Sequence, residues 1–120
     1  KQGIDTTLVS DRDYFYIYPI SIWIPTGDIT QKDISVPLDK LAKKHGFKVI
    51  VDKVINFEAK EKRVTLQQGQ VIDDFEYIVV ALGQDKLKPK GVEHTLSICG
   101  KPEEAVELNK KLEALVKKGS

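Results

Sequence analysis

Tyr77-Ile78-Val79-Val80-Ala81-Leu82-Gly83 is a short apolar run that ends in a glycine. The run is too short to cross a membrane, and it lacks the alternation of a strand with one face in water. It therefore predicts a strand that is buried on both faces, as in a sheet covered by other layers. Ligands of open α/β sheets bind at the carboxyl ends of strands, where Gly83 would allow a close approach of the backbone. A core strand that ends in an ordinary turn is the alternative.

The composition of the 120 residues is that of a globular chain, with 41% hydrophobic and 31% charged residues. This length suits one domain. The net charge is +1 and the lysines are interleaved with acids, whereas nucleic-acid binding needs a clustered basic surface. The single cysteine, Cys99, excludes an internal disulfide and an all-cysteine metal site, and His45 and His94 lack metal-site spacing. We therefore expect no nucleic acid, no metal and a reducing compartment.

Charged residues follow the first predicted strand, which runs from Ile4 to Ser10. In dinucleotide-binding units, an acid at the end of a strand accepts hydrogen bonds from ribose hydroxyls. Asp11 has the position for this role, and Arg12 has the chemistry to contact a phosphate or stack on adenine. A solvated turn without a ligand is the alternative.

Aromatic residues are concentrated between Tyr14 and Pro25, which hold five of the nine in the chain. Pro19 and Pro25 exclude a central strand here, because proline cannot donate to a sheet ladder. Three roles stay open for this aromatic stretch. It could line the binding site of a planar ring, form a hydrophobic face for a partner, or build a satellite core.

The next residues predict a helix and then a strand. Ser35 is a candidate N-cap for a short helix with Pro37 in its first turn, and Gly46 is its expected end. Residues Phe47 to Val51 predict the strand.

The last part of the chain predicts an antiparallel unit and a long helix. Residues Val54 to Phe75 contain two turn signals, at 60–62 and 68–69. Pro102 opens an amphipathic helix with basic residues at its end. Its predicted apolar face consists of Ala105, Leu108, Leu112 and Leu115. Together these elements predict the α/β class, as a three-layer ββα sandwich with a small parallel sheet, an antiparallel meander on one side and helices on the other.

Four segments, in this order along the chain, resemble the FAD-binding domain of sulfide:quinone oxidoreductases. They are Leu8 to Phe15 with Tyr18-Pro19, Asp33 to Leu38, Phe75 to Gly83, and Thr95 to Cys99 before the long helix. This family belongs to the flavoprotein disulfide reductase superfamily (FAD-dependent pyridine nucleotide-disulfide oxidoreductases), which also includes type II NADH dehydrogenases. Leu82 stands where the superfamily usually has threonine, so a side-chain hydroxyl is lost there while backbone contacts remain available.

The resemblance implies a partial Rossmann-like FAD-binding domain over residues 1–120, without its first strand and Gly-x-Gly-x-x-Gly turn. It also implies roles for individual residues. At the adenosine end of FAD it implies Ser10, Asp11 and Arg12, with backbone contacts to adenine from Lys53 and Val54. At the flavin end it implies Pro19 near the isoalloxazine and Ala81, Leu82 and Gly83 near the phosphate–ribitol side. Cys99 would be a redox cysteine. From the residues alone, Cys99 lies where backbone N–H groups before a helix can lower the pKa of a thiol, but a buried, inert thiol is the commoner case.

The function implied is that of a parent flavoenzyme, peripherally attached to the cytoplasmic side of a membrane. It would pass electrons from sulfide through Cys99 and FAD to quinone. The 120-residue chain alone is expected to be inactive and to bind FAD weakly or not at all, because it has no glycine-rich turn for the phosphates. With the first strand missing, exposed strand edges also predict a homodimer. Two alternatives stay open: a type II NADH dehydrogenase-like flavoprotein, which would not need Cys99, and a non-enzymatic interaction module that uses the aromatic stretch.

Overall fold

The computed structural model describes residues 3–83, 89–98 and 101–119. The chain divides into two compact units. Unit 1 combines Lys1–Tyr14 with Pro37–Gln84, and unit 2 combines Phe15–Val36 with Asp85–Ser120. The strands and α-helices of the described residues are, in order, β1 (Thr7–Ser10), β2 (Tyr14–Tyr16), β3 (Ser35–Pro37), α1 (Leu38–His45), β4 (Lys48–Val51), β5 (Val54–Glu58), β6 (Arg63–Leu66), β7 (Val71–Ile72) and α2 (Pro102–Lys118). Short 3-10 helices span Tyr18–Trp23, Gln31–Ile34 and Val92–His94.

A parallel pair of strands, β1 and β4, lies in unit 1. Leu8 pairs with Val49 and Ser10 pairs with Val51. Helix α1 precedes β4 and contacts it. The helix ends at Gly46, whose φ of 74° lies in the left-handed region, which glycine adopts without steric strain. Parallel strands with a helix in their connection are typical of α/β folds. The predicted α/β class, the predicted end of the helix and the strand that follows it are therefore confirmed.

A second sheet in unit 1 is antiparallel and has the strand order β5-β6-β7. Its turns lie at 59–62 and 67–69, which are the places that the turn signals predicted. Val64 and Leu66 are buried and alternate with more exposed residues along β6, so one face of this strand packs inward. The predicted antiparallel unit is thus confirmed.

The apolar run from Tyr77 to Gly83 is not a strand, and this part of the prediction is wrong. Its residues are irregular and exposed; Val79 is 87% exposed and Leu82 is 82% exposed. A buried strand needs a neighbouring strand for its N–H and C=O groups. Among the described residues, β1 pairs only with β4, and no strand lies along the apolar run. The hydrophobicity of a run predicts its preference for burial, but a strand forms only beside a partner edge.

The start of α1 also differs from the prediction. Ser35 does not cap the helix; it begins β3, which pairs with β2, and Pro37 takes the capping position. The Ser35 hydroxyl instead donates to the carbonyl of Gln31 at 2.7 Å. The first amide of α1, that of Leu38, donates to the carbonyl of Asp13 at 2.8 Å. The serine hydroxyl therefore closes the preceding 3-10 helix, and the loop after β1 receives the first amide of α1.

The hydrophobic core of unit 2 joins the aromatic stretch to α2. Ile24, Ile34 and Ala105 are its buried members, and Tyr16, Ile29 and Val106 pack against them. The side-chain amide of Asn109 donates to the carbonyl of Pro25 at 3.1 Å, one helical turn beyond Ala105. These contacts hold the first half of α2 against the segment that follows the aromatic residues.

The second half of α2 leaves its apolar face in water. The helix begins at Pro102 as predicted, and Ala105 is fully buried, but Leu112 is 41% exposed and Leu115 is 65% exposed. The predicted apolar face is therefore buried only near the start of the helix. No helix in the described part of the chain is long and apolar enough to cross a membrane.

Candidate functional site

The carboxyl ends of β1 and β4 meet at one edge of the parallel pair. Ser10 is the last residue of β1, and its carbonyl accepts the amide hydrogen of Asp52, the residue after β4, at 2.9 Å. Asp11 and Arg12 follow β1, while Lys53 and Val54 follow Asp52. Parallel strands place their carboxyl ends together, so two segments more than forty residues apart in the sequence share this edge. Five of the predicted site residues are brought to this edge: Ser10, Asp11, Arg12, Lys53 and Val54.

Arg12 is held by contacts with three neighbours. Its amide donates to the Ser10 hydroxyl oxygen at 3.3 Å, and its Nε donates to Asp11 Oδ1 at 3.3 Å. Its guanidinium carbon lies 5.9 Å from the centroid of the Tyr14 ring, within cation–π range. The Asp11 side chain is 62% exposed and the Arg12 side chain 30% exposed. The edge therefore presents a carboxylate and a guanidinium side by side, with the guanidinium oriented by an aromatic ring.

Asp52 was not among the predicted site residues, yet its carboxylate organises the other half of the edge. Oδ1 accepts the amide hydrogen of Lys53 at 2.7 Å, and Oδ2 accepts the amide hydrogen of Gln68 at 3.1 Å. The carbonyl of Lys53 accepts the amide hydrogen of Gln67 at 2.8 Å. An aspartate directly after a strand is a common local acceptor of backbone N–H groups, and this signal could have identified it.

The other described site residues lie outside the strands and α-helices. Ala81, Leu82 and Gly83 end the exposed irregular segment of unit 1, where Gly83 has a φ of 70° and an added Cβ would meet no atom within 4 Å. Pro19 lies in the first turn of the 3-10 helix Tyr18–Trp23 in unit 2, and it is exposed. The left-handed backbone at Gly83 favours glycine for conformational reasons, and its open surroundings leave room for a close contact.

Cys99 lies outside the residues that the structure describes, but the segment before it is anchored in unit 2. The Ser21 hydroxyl lies 2.8 Å from the carbonyl oxygens of both Tyr18 and Ile98. The amide of Ser97 donates to Glu104 Oε2, in the first turn of α2, at 3.0 Å. Two backbone groups immediately before Cys99 are therefore held by side chains from two different elements.

The aromatic stretch divides its residues between core and surface. Ile24 is buried and Ser21 is buried, whereas Phe15 is 54% exposed and Trp23 is 52% exposed. The ring of Tyr16 packs edge-on against the ring of Tyr18, with 6.5 Å between the centroids. The stretch thus contributes to a core, which is the third of the three roles left open by the sequence. It also has exposed aromatic rings.

The edge residues fit the adenosine half of FAD, which is the cofactor that the resemblance implies. The exposed carboxylate of Asp11 is an acceptor for ribose hydroxyls, and the Arg12 guanidinium is a cation that can stack on adenine or pair with a phosphate. The 120 residues contain no Gly-x-Gly-x-x-Gly, so the amides that usually bind the pyrophosphate are not among them. No group of three or more His, Cys, Asp or Glu in the described part of the chain is arranged to hold a metal ion.

Comparison with known proteins identifies a sulfide-quinone reductase as a relative. No protein-family model matches the chain. The sulfide-quinone reductase of Aquifex aeolicus (strain VF5) is 36% identical over 116 residues, which cover 91% of this chain and 25% of that protein. The chain therefore spans about a quarter of the length of the curated relative it matches.

Three solved structures share the fold of this chain, and one of them is a sulfide:quinone oxidoreductase. The crystal structure of the sulfide:quinone oxidoreductase from Aquifex aeolicus superimposes with a TM-score of 0.84 at 33% identity, over 94% of this chain and 26% of that one. NDH2 from Plasmodium falciparum in complex with NADH (TM-score 0.78, 17% identity) covers 98% of this chain and 25% of its own. NADH:rubredoxin oxidoreductase from Clostridium acetobutylicum (TM-score 0.70, 21% identity) covers 91% and 29%. The last two share the fold alone. In sequence and in structure, this chain is therefore similar to a segment that makes up about a quarter of a sulfide:quinone oxidoreductase.

Proposed function

We propose that this chain supplies the adenosine-binding edge of the FAD domain in a sulfide:quinone-type flavoenzyme. The observation that carries the proposal is the meeting of the β1 and β4 carboxyl ends, which brings Asp11 and Arg12 beside Asp52 to Val54. The 36% identity to a sulfide-quinone reductase supports the same reading. In this proposal Ser10, Asp11 and Arg12 contact the ribose and adenine, and Lys53 and Val54 border the adenine.

The remaining predicted residues would serve the flavin end. Ala81, Leu82 and Gly83 approach the phosphate–ribitol side through their backbone, and Pro19 packs near the isoalloxazine. When bound, FAD supplies the two-electron acceptor between sulfide and quinone, while the protein contributes orientation and electrostatics. Cys99 would form an S–S bond with the sulfide sulfur, with the release of two protons and two electrons, and quinone would gain two electrons and two protons to become quinol. The whole enzyme would attach peripherally to the cytoplasmic face of a membrane.

The alternative that shares this fold is a type II NADH dehydrogenase, with NADH as the electron donor. NDH2 from Plasmodium falciparum superimposes well, but at 17% identity it supports the fold and not the donor. The two functions differ in their need for Cys99. The 36% identity to a sulfide-quinone reductase favours sulfide as the donor and thus a role for Cys99.

The decisive experiment is a Cys99→Ser variant of the proposed flavoenzyme, assayed for sulfide-dependent quinone reduction. We expect turnover to be abolished or sharply reduced while FAD stays bound at its wild-type stoichiometry. His94→Gln, at a nearby side chain that is 83% exposed, is the matched control and should turn over normally. Unchanged sulfide-dependent turnover in Cys99→Ser would exclude Cys99 from the reaction, and activity with NADH but not with sulfide would transfer the assignment to the dehydrogenase. The purified 120-residue chain should be colourless, because it contains no Gly-x-Gly-x-x-Gly turn to bind the pyrophosphate of FAD. Stoichiometric flavin absorbance in this preparation would contradict that expectation.

A further inference from the structure

Asp52 joins three pieces of backbone at the adenosine edge. Its amide hydrogen bonds to the carbonyl of Ser10 at 2.9 Å, which extends the β1–β4 ladder by one residue. Its carboxylate accepts from the amide of the next residue, Lys53, and from the amide of Gln68 in the turn between β6 and β7. One residue therefore ties the end of β1, the start of β5 and the β6–β7 turn together.

The β6–β7 turn returns a second bond to the same place. The amide of Gln67 donates to the carbonyl of Lys53 at 2.8 Å. The single N–H of Lys53 is already given to Asp52, and its C=O already accepts one bond, so the peptide groups on both sides of this residue are fixed. A backbone held from both sides presents a defined surface to a ligand, and less conformational freedom has to be lost on binding.

We propose that Asp52 is a positioning residue for adenine recognition: its carboxylate holds the backbone of Lys53 and Val54 in register with Asp11 and Arg12. The inference rests on the proposed function for its ligand, FAD, and on the hydrogen bonds above for its geometry. Asp52 itself does not contact the ligand in this proposal; it acts through the backbone of Lys53 and Val54, which its carboxylate holds in place. Removing its carboxylate releases the amides of Lys53 and Gln68 together, and it loosens the adenine side of the edge without touching Asp11 or Arg12.

The hydrogen-bond part of the inference is tested without any cofactor. Amide hydrogen exchange in the 120-residue chain, followed residue by residue by NMR, should show protected amides at Lys53 and Gln68. In Asp52→Ala both should exchange about tenfold faster or more, since each loses a charge-assisted bond. Asp52→Asn keeps one acceptor oxygen but turns an NH2 group toward a second donor, so it should release one of the two amides and is a milder change if Asp52→Ala folds poorly.

The positioning part is tested in the proposed flavoenzyme through its dissociation constant for FAD. Asp52→Ala should weaken FAD binding by about tenfold, with Asp52→Asn intermediate. The matched control is Asp5→Asn, because Asp5 pairs with Lys48 at 3.0 Å at the opposite, amino end of the same two strands and is well exposed. It removes the same charge from the same sheet, and FAD affinity should not change. Affinity for FMN, which lacks the adenosine half, should be insensitive to all three variants, whereas general loss of structure would lower both affinities.

Each outcome decides a different point. Unchanged exchange at Lys53 and Gln68 in Asp52→Ala would show that the carboxylate does not hold these amides, and the inference would be wrong. Faster exchange with unchanged FAD affinity would reduce Asp52 to a structural role and also overturn the inference. Failure of the wild-type enzyme to bind FAD at all would remove the proposed function and with it the positioning role, while the exchange data would still decide whether the carboxylate holds the turn.

Discussion

Single side chains that bond to backbone carry much of the local order in this protein, and Ser21 is the clearest case. It is 1% exposed, and its hydroxyl lies 2.8 Å from the carbonyls of both Tyr18 and Ile98. The two carbonyls share the single hydroxyl hydrogen. The contact with Tyr18 closes a turn of its own 3-10 helix, and the contact with Ile98 reaches 77 residues along the chain. A serine in this position looks in the sequence like a minor polar residue of the aromatic stretch, but it connects that stretch to the segment before Cys99.

Replacing Ser21 should therefore lower the stability of the fold, although its side chain is small. Ser21→Ala leaves the two carbonyls without their hydroxyl donor, and we expect the free energy of unfolding to fall by about 1–3 kcal/mol. Chemical denaturation of the chain measures this loss. Thr95→Ala is the control, because the Thr95 hydroxyl also bonds to a carbonyl, that of Val92, but in an exposed position. It should change stability by no more than about 0.5 kcal/mol, and equal losses in the two variants would contradict the role of the buried hydroxyl.

At the scale of the element, the 3-10 helix Gln31–Ile34 owes its start to a reciprocal cap. Asp33 Oδ2 accepts from the Thr30 hydroxyl at 2.6 Å and from the Thr30 amide at 2.8 Å. The Thr30 hydroxyl bond, followed by the Thr30 amide bond, holds the pKa of Asp33 below its ordinary value, because both bonds favour the ionised carboxylate. The cap positions Ile34 for the core of unit 2.

The pH dependence of this cap follows from the sign of the shift. A carboxyl whose pKa is lower in the folded state stabilises the fold fully above its unfolded pKa, and this contribution disappears as the pH falls through the folded pKa. Thr30→Val removes the hydroxyl, so we expect the pKa of Asp33 to rise toward its ordinary value in an NMR titration of the side-chain carboxyl. Thr26→Val, at a threonine whose hydroxyl bonds to the carbonyl of Trp23, should leave the Asp33 titration unchanged. An Asp33 pKa that is the same in Thr30→Val and in the unaltered chain would exclude the hydroxyl bond as the cause.

At the scale of the whole molecule, many large apolar side chains of the described residues are exposed to solvent. Val79 and Leu82 lie in the irregular segment of unit 1, and Leu115 and Val116 lie near the end of α2; all are more than 60% exposed. Each Å² of apolar surface withdrawn from water is worth about 25 cal/mol, so covering such residues is favourable. Within the described residues, β4 is the one strand paired with β1, and the other edge of β1 offers backbone groups to which a further strand can bond.

We predict that the isolated chain associates as a homodimer. Size-exclusion chromatography with light scattering, over a range of concentrations, should give twice the mass of the chain at high concentration. Val79→Lys combined with Leu82→Lys should shift the chain toward the monomer, because two charges would be buried in the interface. Glu61→Lys, at an exposed polar position in the turn between β5 and β6, changes the net charge by the same amount and should stay dimeric. A monomer mass at every concentration, together with a cooperative melt, would show that the chain covers these residues by itself.

Local patterns in the sequence were sufficient for much of the fold. The end of α1 at Gly46, the turns of the antiparallel sheet and the start of α2 at Pro102 all follow from the preferences of neighbouring residues for particular backbone angles and caps. The two halves of the candidate edge were also predictable, because each half follows a strand. What made them one site in the prediction was the resemblance to a known family.

Only the tertiary structure decided the remainder. Whether the run from Tyr77 to Gly83 becomes a strand depends on a partner edge, which no property of the run itself supplies. The bonds from Asp52 to Gln68 and from Ser21 to Ile98 join residues 16 and 77 positions apart, and they exist because folding brings those backbone groups within reach. Composition and periodicity act through neighbouring residues, and they determined which segments form elements. Long-range hydrogen bonds and shared edges depend on distances in space, and they determined how those elements form the candidate site.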